Sequence, residues 1–357
     1  MQTILVKTTG NAVADANIYE KAGEIIRSGG LVAFPTETVY GLGGNGFDAA
    51  ASGKIYAAKG RPSDNPLILH IADADMLSMI TDEVTDKAKK LMEKFWPGPL
   101  TMIFNKKKEV PLETTGGLET VAVRMPDHEV ARALIAASGT PIAAPSANVS
   151  GRPSPTLASH VYEDLAGRID MIIDGGSVGL GLESTIIDTT CEPPMILRPG
   201  YITKEMFEEV IGEVVIDPAI LKKPDDSLKP KAPGMKYRHY APKASLTLVE
   251  GELAAVADRI IALSSEKIVT GAKVGIVATE ETKAYYEKVF TNNEIELLML
   301  GSRNDAASIA RNLYRILREC DEKGMEYVFC ETFPADNLGE AIMNRLRKAA
   351  GYTIVRA

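Results

Sequence analysis

A proline-rich stretch past the middle of the chain is the feature that most limits how this protein can fold. Between Asp217 and Lys243 lie five prolines and the polar run KKPDDSLKPK. Prolines at this density favour an extended, semi-rigid linker over a packed element. A chain of 357 residues is also long for one hydrophobic core. The sequence therefore predicts two domains, 1–216 and 244–357, joined by a linker over 217–243.

Both domains are predicted to be α/β. In the first, short apolar runs typical of buried strands, such as Leu31–Phe34 and Val121–Arg124, alternate with segments at helical spacing, such as Asn17–Ser28. This order predicts a twisted mixed sheet with antiparallel parts. The second domain alternates strand and helix regularly, which predicts a smaller Rossmann-like βαβ domain with a parallel sheet.

The net charge and the cysteines argue against some classes of protein. A formal net charge of −8 counts against a surface that coats nucleic acid, although it leaves room for a small cationic pocket. Cys191, Cys320 and Cys330 are widely spaced and odd in number, so no disulfide framework is expected. The N-terminus lacks a signal-peptide pattern, and no apolar stretch approaches the roughly 18 residues of a membrane span. We expect a soluble, cytoplasmic protein.

Several stretches resemble familiar sequence motifs but lack the flanking structure or a residue that those motifs require. Gly41–Gly46 matches the dinucleotide fingerprint, but six residues separate it from the preceding strand, so we interpret its glycines as a closely packed turn. Gly175–Gly179 matches the nucleophile elbow of hydrolases, but extended residues follow it, so a glycine turn between strands is expected. A Walker A motif fails because Asp48 replaces its first glycine. The four histidines show no metal-ligand spacing.

The remaining candidate for a functional site is a set of polar residues at the ends of predicted strands. In an open α/β sheet, binding sites are built at such positions. The segments concerned are Pro35–Thr38, Lys59–His70, Ala144–Ser154, and Glu183–Thr185 together with Leu197–Gly200. The stretch KGRPSDNP combines two cations, a serine and an asparagine with two prolines, which suits a rigid phosphate-binding turn. Each segment alone also fits ordinary turn chemistry, but together they favour a site.

The motifs in these segments resemble those of the YrdC/Sua5 family, the threonylcarbamoyl-AMP synthases. The resemblance rests on FPTETVYGLG, KGRPSDNPLILHI, FWPGPLT, VAVRMP, APSANVSG, and STIIDTT with ILRPG, in that order. It covers roughly residues 10–205. The linker and the terminal domain resemble the longer Sua5 form, which extends the similarity to nearly the whole chain.

The resemblance implies a nucleotidyltransferase that joins L-threonine, bicarbonate and ATP into threonylcarbamoyl-adenylate and pyrophosphate. A separate tRNA threonylcarbamoyl transferase would use the adenylate for the threonylcarbamoyladenosine (t6A) modification of tRNA. Mg²⁺ would be expected with ATP. The lack of a convincing Ser, Cys or His nucleophile fits, because this chemistry depends on positioning and charge stabilisation. A weak RNA contact is left open, and no membrane partner is expected.

The resemblance also implies roles for individual residues. The catalytic group is Lys59, Arg61, Ser146 and Asn148. Residues implied at the nucleotide and its phosphates are Lys59, Arg61, Asn65, Thr120, Ser146, Asn148, Ser154, Arg198 and Tyr237. Residues implied at L-threonine are Thr36, His70, Arg124, Ala144 and Ser184. Arg124 suits the carboxylate of the amino acid, since a guanidinium offers two parallel donors; no protein side chain is assigned to a metal.

Three interpretations stay open at this stage. His70 ends an apolar strand, where a histidine is often merely a satisfied core residue. Glu37 is either a base or a hydrogen-bonded structural carboxylate, and the second is favoured. The segment Ala232–Pro242 carries the cluster KYRHY, and we hypothesise that it closes over bound ATP and excludes water. The alternative is a linker that two tyrosines anchor to either domain.

Two other functions compete with adenylate synthesis. One is a module that docks RNA without chemistry, which the acidic net charge disfavours. The other is a carbamoyl-transfer enzyme of hydrogenase maturation, which shares this type of catalytic domain but carries cysteine-rich zinc segments and an acylphosphatase module. The three scattered cysteines here do not fit it. The role of the terminal domain is open between regulation, support of a lid and oligomer contact.

Overall fold

The computed structural model describes residues 2–11, 13–220, 230–235, 239–291 and 294–357. The chain divides into two compact units. The first unit comprises Met1–Ser150 with Ser154–Tyr237, and the second comprises Gly151–Pro153 with Arg238–Ala357. A tripeptide from the first half of the sequence therefore belongs to the second unit, which no sequence pattern indicated.

The first unit is built on one mixed sheet, which in the described residues has eleven strands. These are β1 (Ile4–Lys7), β2 (Val32–Phe34), β3 (Gly41–Asn45), β4 (Ile68–His70), β5 (Leu100–Asn105), β6 (Thr120–Arg124), β7 (Ile142–Ala143), β8 (Met171–Asp174), β9 (Thr185–Asp188), β10 (Met195–Arg198) and β11 (Val215–Ile216). Their order is β1-β8-β2-β3-β7-β4-β6-β5-β9-β10-β11. Strand β6 runs parallel to β4 and antiparallel to β5, so the predicted mixed sheet is confirmed.

Helices connect these strands. They are α1 (Ala16–Arg27), α2 (Ala49–Lys59), α3 (Asp86–Phe95), α4 (Leu112–Thr115), α5 (Glu129–Ser138), α6 (Ala158–Leu165) and α7 (Lys204–Ile211). The sequence pattern did not indicate α4, α6 or α7. Helix α2 begins where the Asp48 side chain accepts a hydrogen bond from the backbone N–H of Ala50, at 2.8 Å. It ends at Gly60, whose φ of 62° favours glycine, so Lys59 lies on the last turn.

The two faces of the sheet are covered differently. Because side chains alternate along a strand, Leu69 and Val123 point to one face, which α2, α3, α6 and α7 cover. Helices α1 and α5 cover the opposite face over β2, β7 and β8. Over β4, β5 and β6 this second face is packed by Ala232 and Met235, which follow the proline-rich run. The proline-rich segment thus contributes directly to the core of the first unit.

Strand β3 corrects the prediction for the glycine-rich segment. The expected turn is an antiparallel strand between β2 and β7. The expected close packing is present: a Cβ on Gly43 would lie 2.6 Å from Ile142 Cγ2, and one on Gly46 would lie 2.4 Å from Leu69 Cδ2. Glycine is required here because neighbouring side chains occupy the space of a side chain. The segment Gly175–Gly179 is, as predicted, a turn between two strands.

The second unit has a parallel sheet, as predicted. Its strands are β12 (Ser245–Glu250), β13 (Val274–Thr279), β14 (Glu296–Gly301), β15 (Tyr327–Glu331) and β16 (Ile354–Arg356), in the order β14-β13-β15-β12-β16. Its helices are α8 (Leu253–Ile268), α9 (Lys283–Val289), α10 (Ala306–Glu322) and α11 (Leu338–Ala349). The apolar stripe of α10, which includes Ile309, Leu313, Ile316, Leu317 and Cys320, is buried. Among the residues described in either unit, no helix is long and apolar enough to cross a membrane.

The tripeptide 151–153 is held inside the second unit by α10 and by the chain that enters β12. Arg318, which is fully buried, donates to the carbonyl of Pro153 at 2.7 Å. Arg152 pairs with Asp321 at 3.7 Å, and the backbone N–H of Ala241 donates to the carbonyl of Gly151 at 2.9 Å. Polar bonds on both sides therefore fix these three residues.

Candidate functional site

Two charged or polar strand residues share the face of the sheet that the proline-rich segment helps to cover. His70 lies two residues after Ile68, and Arg124 two residues after Ala122; Ile68 and Ala122 both pack on Met235 and its neighbours. Strand pairing sets His70 directly beside Arg124. This face is therefore apolar along the strands and polar where β4 and β6 end.

Arg124 is the centre of the polar end of this face. It is only 4% exposed, and its Nη1 donates to Thr38 Oγ1 at 2.8 Å while its Nε donates to the carbonyl of Gly98 at 3.3 Å. Its Nη2 forms an ion pair with Glu37 Oε2 at 2.5 Å. Both oxygens of Glu37 are buried, and neither accepts an aligned hydrogen bond from any residue that the structure describes. The hydrogen-bonded carboxylate favoured from the sequence is therefore not what the structure shows.

His70 is held as a neutral ring. Burial, reinforced by the nearby Arg124 cation, lowers the pKa of His70 to about 3. Its Nδ1 lies 3.1 Å from the carbonyl of Ile68, and the ring meets Phe34 edge-on. A neutral imidazole at this position can make hydrogen bonds to a ligand but adds no charge.

The other three residues implied at L-threonine contact this group or the strands that carry it. Ser184 Oγ is 2.7 Å from Thr101 Oγ1, and Thr101 is the register partner of Arg124. The backbone N–H of Ala144 donates to the carbonyl of Ile68 at 2.8 Å. Thr36 uses its hydroxyl within its own turn, donating to the carbonyl of Val39 at 2.7 Å. Ser184 through Thr101, and Thr36 through Thr38, are thus linked to Arg124, whereas Ala144 lies beside Ile68, two residues before His70.

Lys59 joins two of the sequence motifs. Its side chain is 1% exposed, and its Nζ donates to the backbone carbonyls of Ser146 and Asn148. Ser146 Oγ in turn donates to Asn148 Oδ1 at 2.5 Å. The four residues implied as catalytic include these three, and the contacts place the KGR turn against the SxN turn.

The remaining part of KGRPSDNP folds back on itself. Arg61 donates from Nε to the carbonyl of Asn65 at 3.2 Å and from Nη2 to the carbonyl of Pro66 at 3.0 Å. The Oδ1 atom of Asn65 is buried and accepts no hydrogen bond within the described chain. The register that pairs Ile68 with Ala122 sets Thr120 beside the end of this turn. Thr120, which the resemblance implies at the nucleotide, thus lies at the opposite end of β6 from Arg124.

Arg198 and Ser154 complete the described nucleotide group. Arg198 donates to the carbonyl and to the hydroxyl of Ser184, both at 3.0 Å, and so links the nucleotide group to the threonine group. Ser154 donates to Glu183 Oε1 at 2.6 Å. Tyr237 lies outside the described residues.

Sequence reasoning missed two contributors to this arrangement. Thr38 accepts from Arg124, and Thr101 positions Ser184. Thr38 stands in the quoted motif FPTETVYGLG, whose alternation of threonines around Glu37 was an available signal. Thr101 ends another quoted motif, FWPGPLT, but a threonine within an apolar strand is ordinary β-sheet composition and did not indicate this contact.

Known proteins are similar to this chain over nearly its whole length. Two family models match the chain, one described as "Telomere recombination" over residues 24–200 and one as "Threonylcarbamoyl-AMP synthase, C-terminal domain" over residues 202–351. The threonylcarbamoyl-AMP synthase of Pyrococcus abyssi is 49% identical over 335 residues, which is 94% of either chain. The Bacillus subtilis threonylcarbamoyl-AMP synthase is 48% identical over 337 residues, again 94% of either chain.

The fold agrees over the same length. A crystal structure of P. abyssi Sua5 complexed with L-threonine superposes with a TM-score of 0.90 and 47% identity, covering 100% of both chains. The two family models match in chain order, and the relatives are nearly half identical over almost the whole chain. The chain belongs to the Sua5/YrdC family of threonylcarbamoyl-AMP synthases.

Proposed function

We propose that this protein makes threonylcarbamoyl-AMP and pyrophosphate from L-threonine, bicarbonate and ATP. The observation that carries the proposal is the junction at Lys59, which bonds the carbonyls of Ser146 and Asn148 within the unit that also holds Arg124. A cationic phosphate-binding group and a buried guanidinium for a carboxylate thus belong to one compact unit. The names of relatives that share nearly its full length support the same activity.

The reaction divides into two steps that these side chains suit. The threonine amine and bicarbonate first give a carbamate, while Arg124 holds the threonine carboxylate through parallel donors. A carbamate oxygen then attacks the α-phosphorus of ATP, and pyrophosphate leaves. Lys59, Arg61 and Arg198 stabilise the charge that develops on the phosphates. No covalent enzyme intermediate is needed.

Mg²⁺ would arrive with ATP and neutralise phosphate charge. The nucleotide group consists of cations, hydroxyls and amides, with Glu183 as a carboxylate bonded to Ser154. This donor set fits a metal held by phosphate oxygens and water better than a cage of protein carboxylates. The residues of the site therefore need to bind the phosphates and not the ion.

The proline-rich segment is proposed to close over the nucleotide. Support comes from Ala232 and Met235, which pack on the sheet face that carries His70 and Arg124. The anchored-linker alternative also has support, since Tyr240 stacks on Tyr314 of the second unit with ring centres 5.1 Å apart. Deleting Ala232–Pro242 should raise loss of the adenylate to hydrolysis or abolish its synthesis. Unchanged synthesis by the shortened chain would end the lid proposal.

The product is proposed to serve t6A modification in the cytoplasm, through a separate tRNA threonylcarbamoyl transferase. A carbamoyl-adenylate is an activated acyl donor, so an enzyme that transfers the acyl group to an amine must follow. This chain would need no strong RNA contact of its own, which agrees with its net charge of −8.

Pyrophosphate release from ATP and Mg²⁺ tests the proposed function. Release should require both L-threonine and bicarbonate, and it should fall by about a hundredfold or more in Lys59→Ala and Arg61→Ala, because each removes a cation at the phosphates. Lys89→Ala, an exposed lysine of α3, is the matched control. Circular dichroism checks that the variants are folded.

Two results would contradict the proposal. Release that ignores threonine would indicate an ATP hydrolase or another acceptor. No release from the folded protein, together with salt-dependent RNA affinity, would favour an RNA-binding module.

A further inference from the structure

We propose that Glu37 binds the ammonium group of L-threonine and takes its proton as the carbamate forms. This inference rests on the proposed function and adds a catalytic residue to it. The observation behind it is the buried Arg124–Glu37 pair, at 2.5 Å, in which the carboxylate accepts no aligned hydrogen bond from the described chain.

The bonding of Glu37 differs from that of Glu331, a structural carboxylate of the second unit. Glu331 of the second unit is fully buried and also pairs with an arginine, Arg303. It accepts hydrogen bonds from the backbone N–H of Thr279 at 3.2 Å and from the hydroxyl of Thr282 at 2.6 Å. A structural carboxylate is stabilised by such donors, and their absence is costly. Beyond its ion pair with Arg124, Glu37 accepts no such bond from the residues that the structure describes.

The Arg124–Glu37 pair matches the shape of an amino-acid zwitterion. An α-amino acid carries its carboxylate and its ammonium on one carbon, so its receptor needs a cation and an anion side by side. If Arg124 holds the carboxylate, as the resemblance implies, the adjacent Glu37 is the anion available to bind the ammonium. His70, which flanks Arg124, is neutral and adds no competing charge. A threonine ammonium would also supply the donors that Glu37 lacks.

The chemistry requires a proton acceptor at this position. Threonine binds as the ammonium form, and an ammonium nitrogen has no lone pair with which to attack carbon. Glu37 takes one proton, and the freed amine attacks the carbon of bicarbonate, forming the N–C bond. The C–OH bond breaks, and the hydroxide leaves as water with a second proton from nitrogen. The net change is ammonium, bicarbonate and carboxylate to carbamate, water and carboxylic acid, with charge −1 on each side.

Ligand binding tests the ammonium contact without any turnover. The wild-type protein should bind L-threonine about a hundredfold more tightly than (R)-3-hydroxybutyrate, which lacks only the amine. Glu37→Gln should shrink that ratio by about tenfold or more, because the lost interaction is charge-assisted. Glu20→Gln, an exposed glutamate that also pairs with an arginine, is the matched control and should keep the wild-type ratio. An unchanged ratio in Glu37→Gln would overturn the proposal.

A comparison of the forward and reverse reaction rates tests the proton transfer. Synthesis from threonine and bicarbonate should fall by about 10²–10⁴-fold in Glu37→Gln, as for loss of a general base. The reverse step, ATP formation from pyrophosphate and adenylate made by the wild type, involves no carbamate synthesis and should stay within a few-fold. Glu37→Asp should recover part of the forward rate, because it restores the carboxylate.

Each outcome of this rate comparison supports or overturns the role of Glu37 as the base. Equal loss in both directions would mean that Glu37 supports the site as a whole and is not the base, and an unchanged forward rate would overturn the proposal. A wild-type protein without threonine-dependent pyrophosphate release would refute the proposed function. The binding ratio would still test Glu37 in that case.

Discussion

Buried cations of the first unit bond the backbone as well as, by our proposal, the substrates. Lys59 donates to two carbonyl groups, Arg124 to that of Gly98, and Arg198 to that of Ser184. Each bond lies in a poorly solvated environment and fixes a loop that carries another site residue. Truncating one of these cations should therefore move a loop in addition to removing a ligand contact. Charge-conserving substitutions such as Lys59→Arg separate the two effects.

At the same scale, His70 should make stability depend on pH. The folded protein keeps its ring neutral down to a pKa of about 3, whereas the unfolded chain takes up a proton below about pH 6.5. The unfolded state thus binds more protons in this window, and stability is lost as pH falls through it. We expect a loss of about 2 kcal/mol from pH 7 to pH 5 through this residue.

Urea unfolding at the two pH values measures this effect. His70→Asn should show a smaller loss than the wild type by about that amount. If both proteins lose the same free energy of unfolding between pH 7 and pH 5, His70 is not the group responsible.

Among the elements, β3 shows how packing can override composition. Four of the six residues from Gly41 to Gly46 are glycine, a composition that disfavours strands, yet the segment pairs with β2 and β7. It does so because Phe34, Ile142 and Leu69 fill the space beside its backbone. The large side chains of its neighbours provide the apolar contacts that a strand normally supplies itself.

Alanine substitutions at two glycines test this reading of β3. Gly43→Ala should destabilise the first unit by about 1–3 kcal/mol, because the new methyl group meets Ile142 and Phe34 within 3 Å. Gly53→Ala is the matched control: it lies exposed within α2 with nothing near its Cβ position, and it should stabilise by about 0.5–1 kcal/mol. Thermal unfolding measures both. Similar shifts for both variants would contradict the packing argument.

The elements also show what the sequence could predict. A strongly patterned helix such as α1, predicted over Asn17–Ser28, is found within one residue of its predicted bounds, because its apolar positions recur over several turns. Helix α4 and strand β11 have four and two residues, too few for a period to be seen. The motifs indicated which residues are candidates for the site, but not which of them contact one another. That Glu37 pairs with Arg124 across 87 positions depends on the order of the strands between β2 and β6, which no local spacing encodes.

In the whole molecule, the second unit includes residues from within the sequence of the first unit, as well as the chain that follows the linker. It contains Gly151–Pro153, which lie between Asn148 and Ser154, two residues implied at the nucleotide. Arg318 and Asp321 of α10 bond this tripeptide. The ends of the loop therefore belong to the first unit, while its middle is fixed by the second.

The boundary between the units consequently cannot be written as one position in the gene. A stop codon in the linker would remove the helix that bonds the tripeptide while leaving the tripeptide in the truncated product. A hybrid enzyme spliced at the linker would receive a foreign second unit whose matching three residues stayed behind. Transplanting either unit therefore means exchanging two separate stretches of coding sequence together.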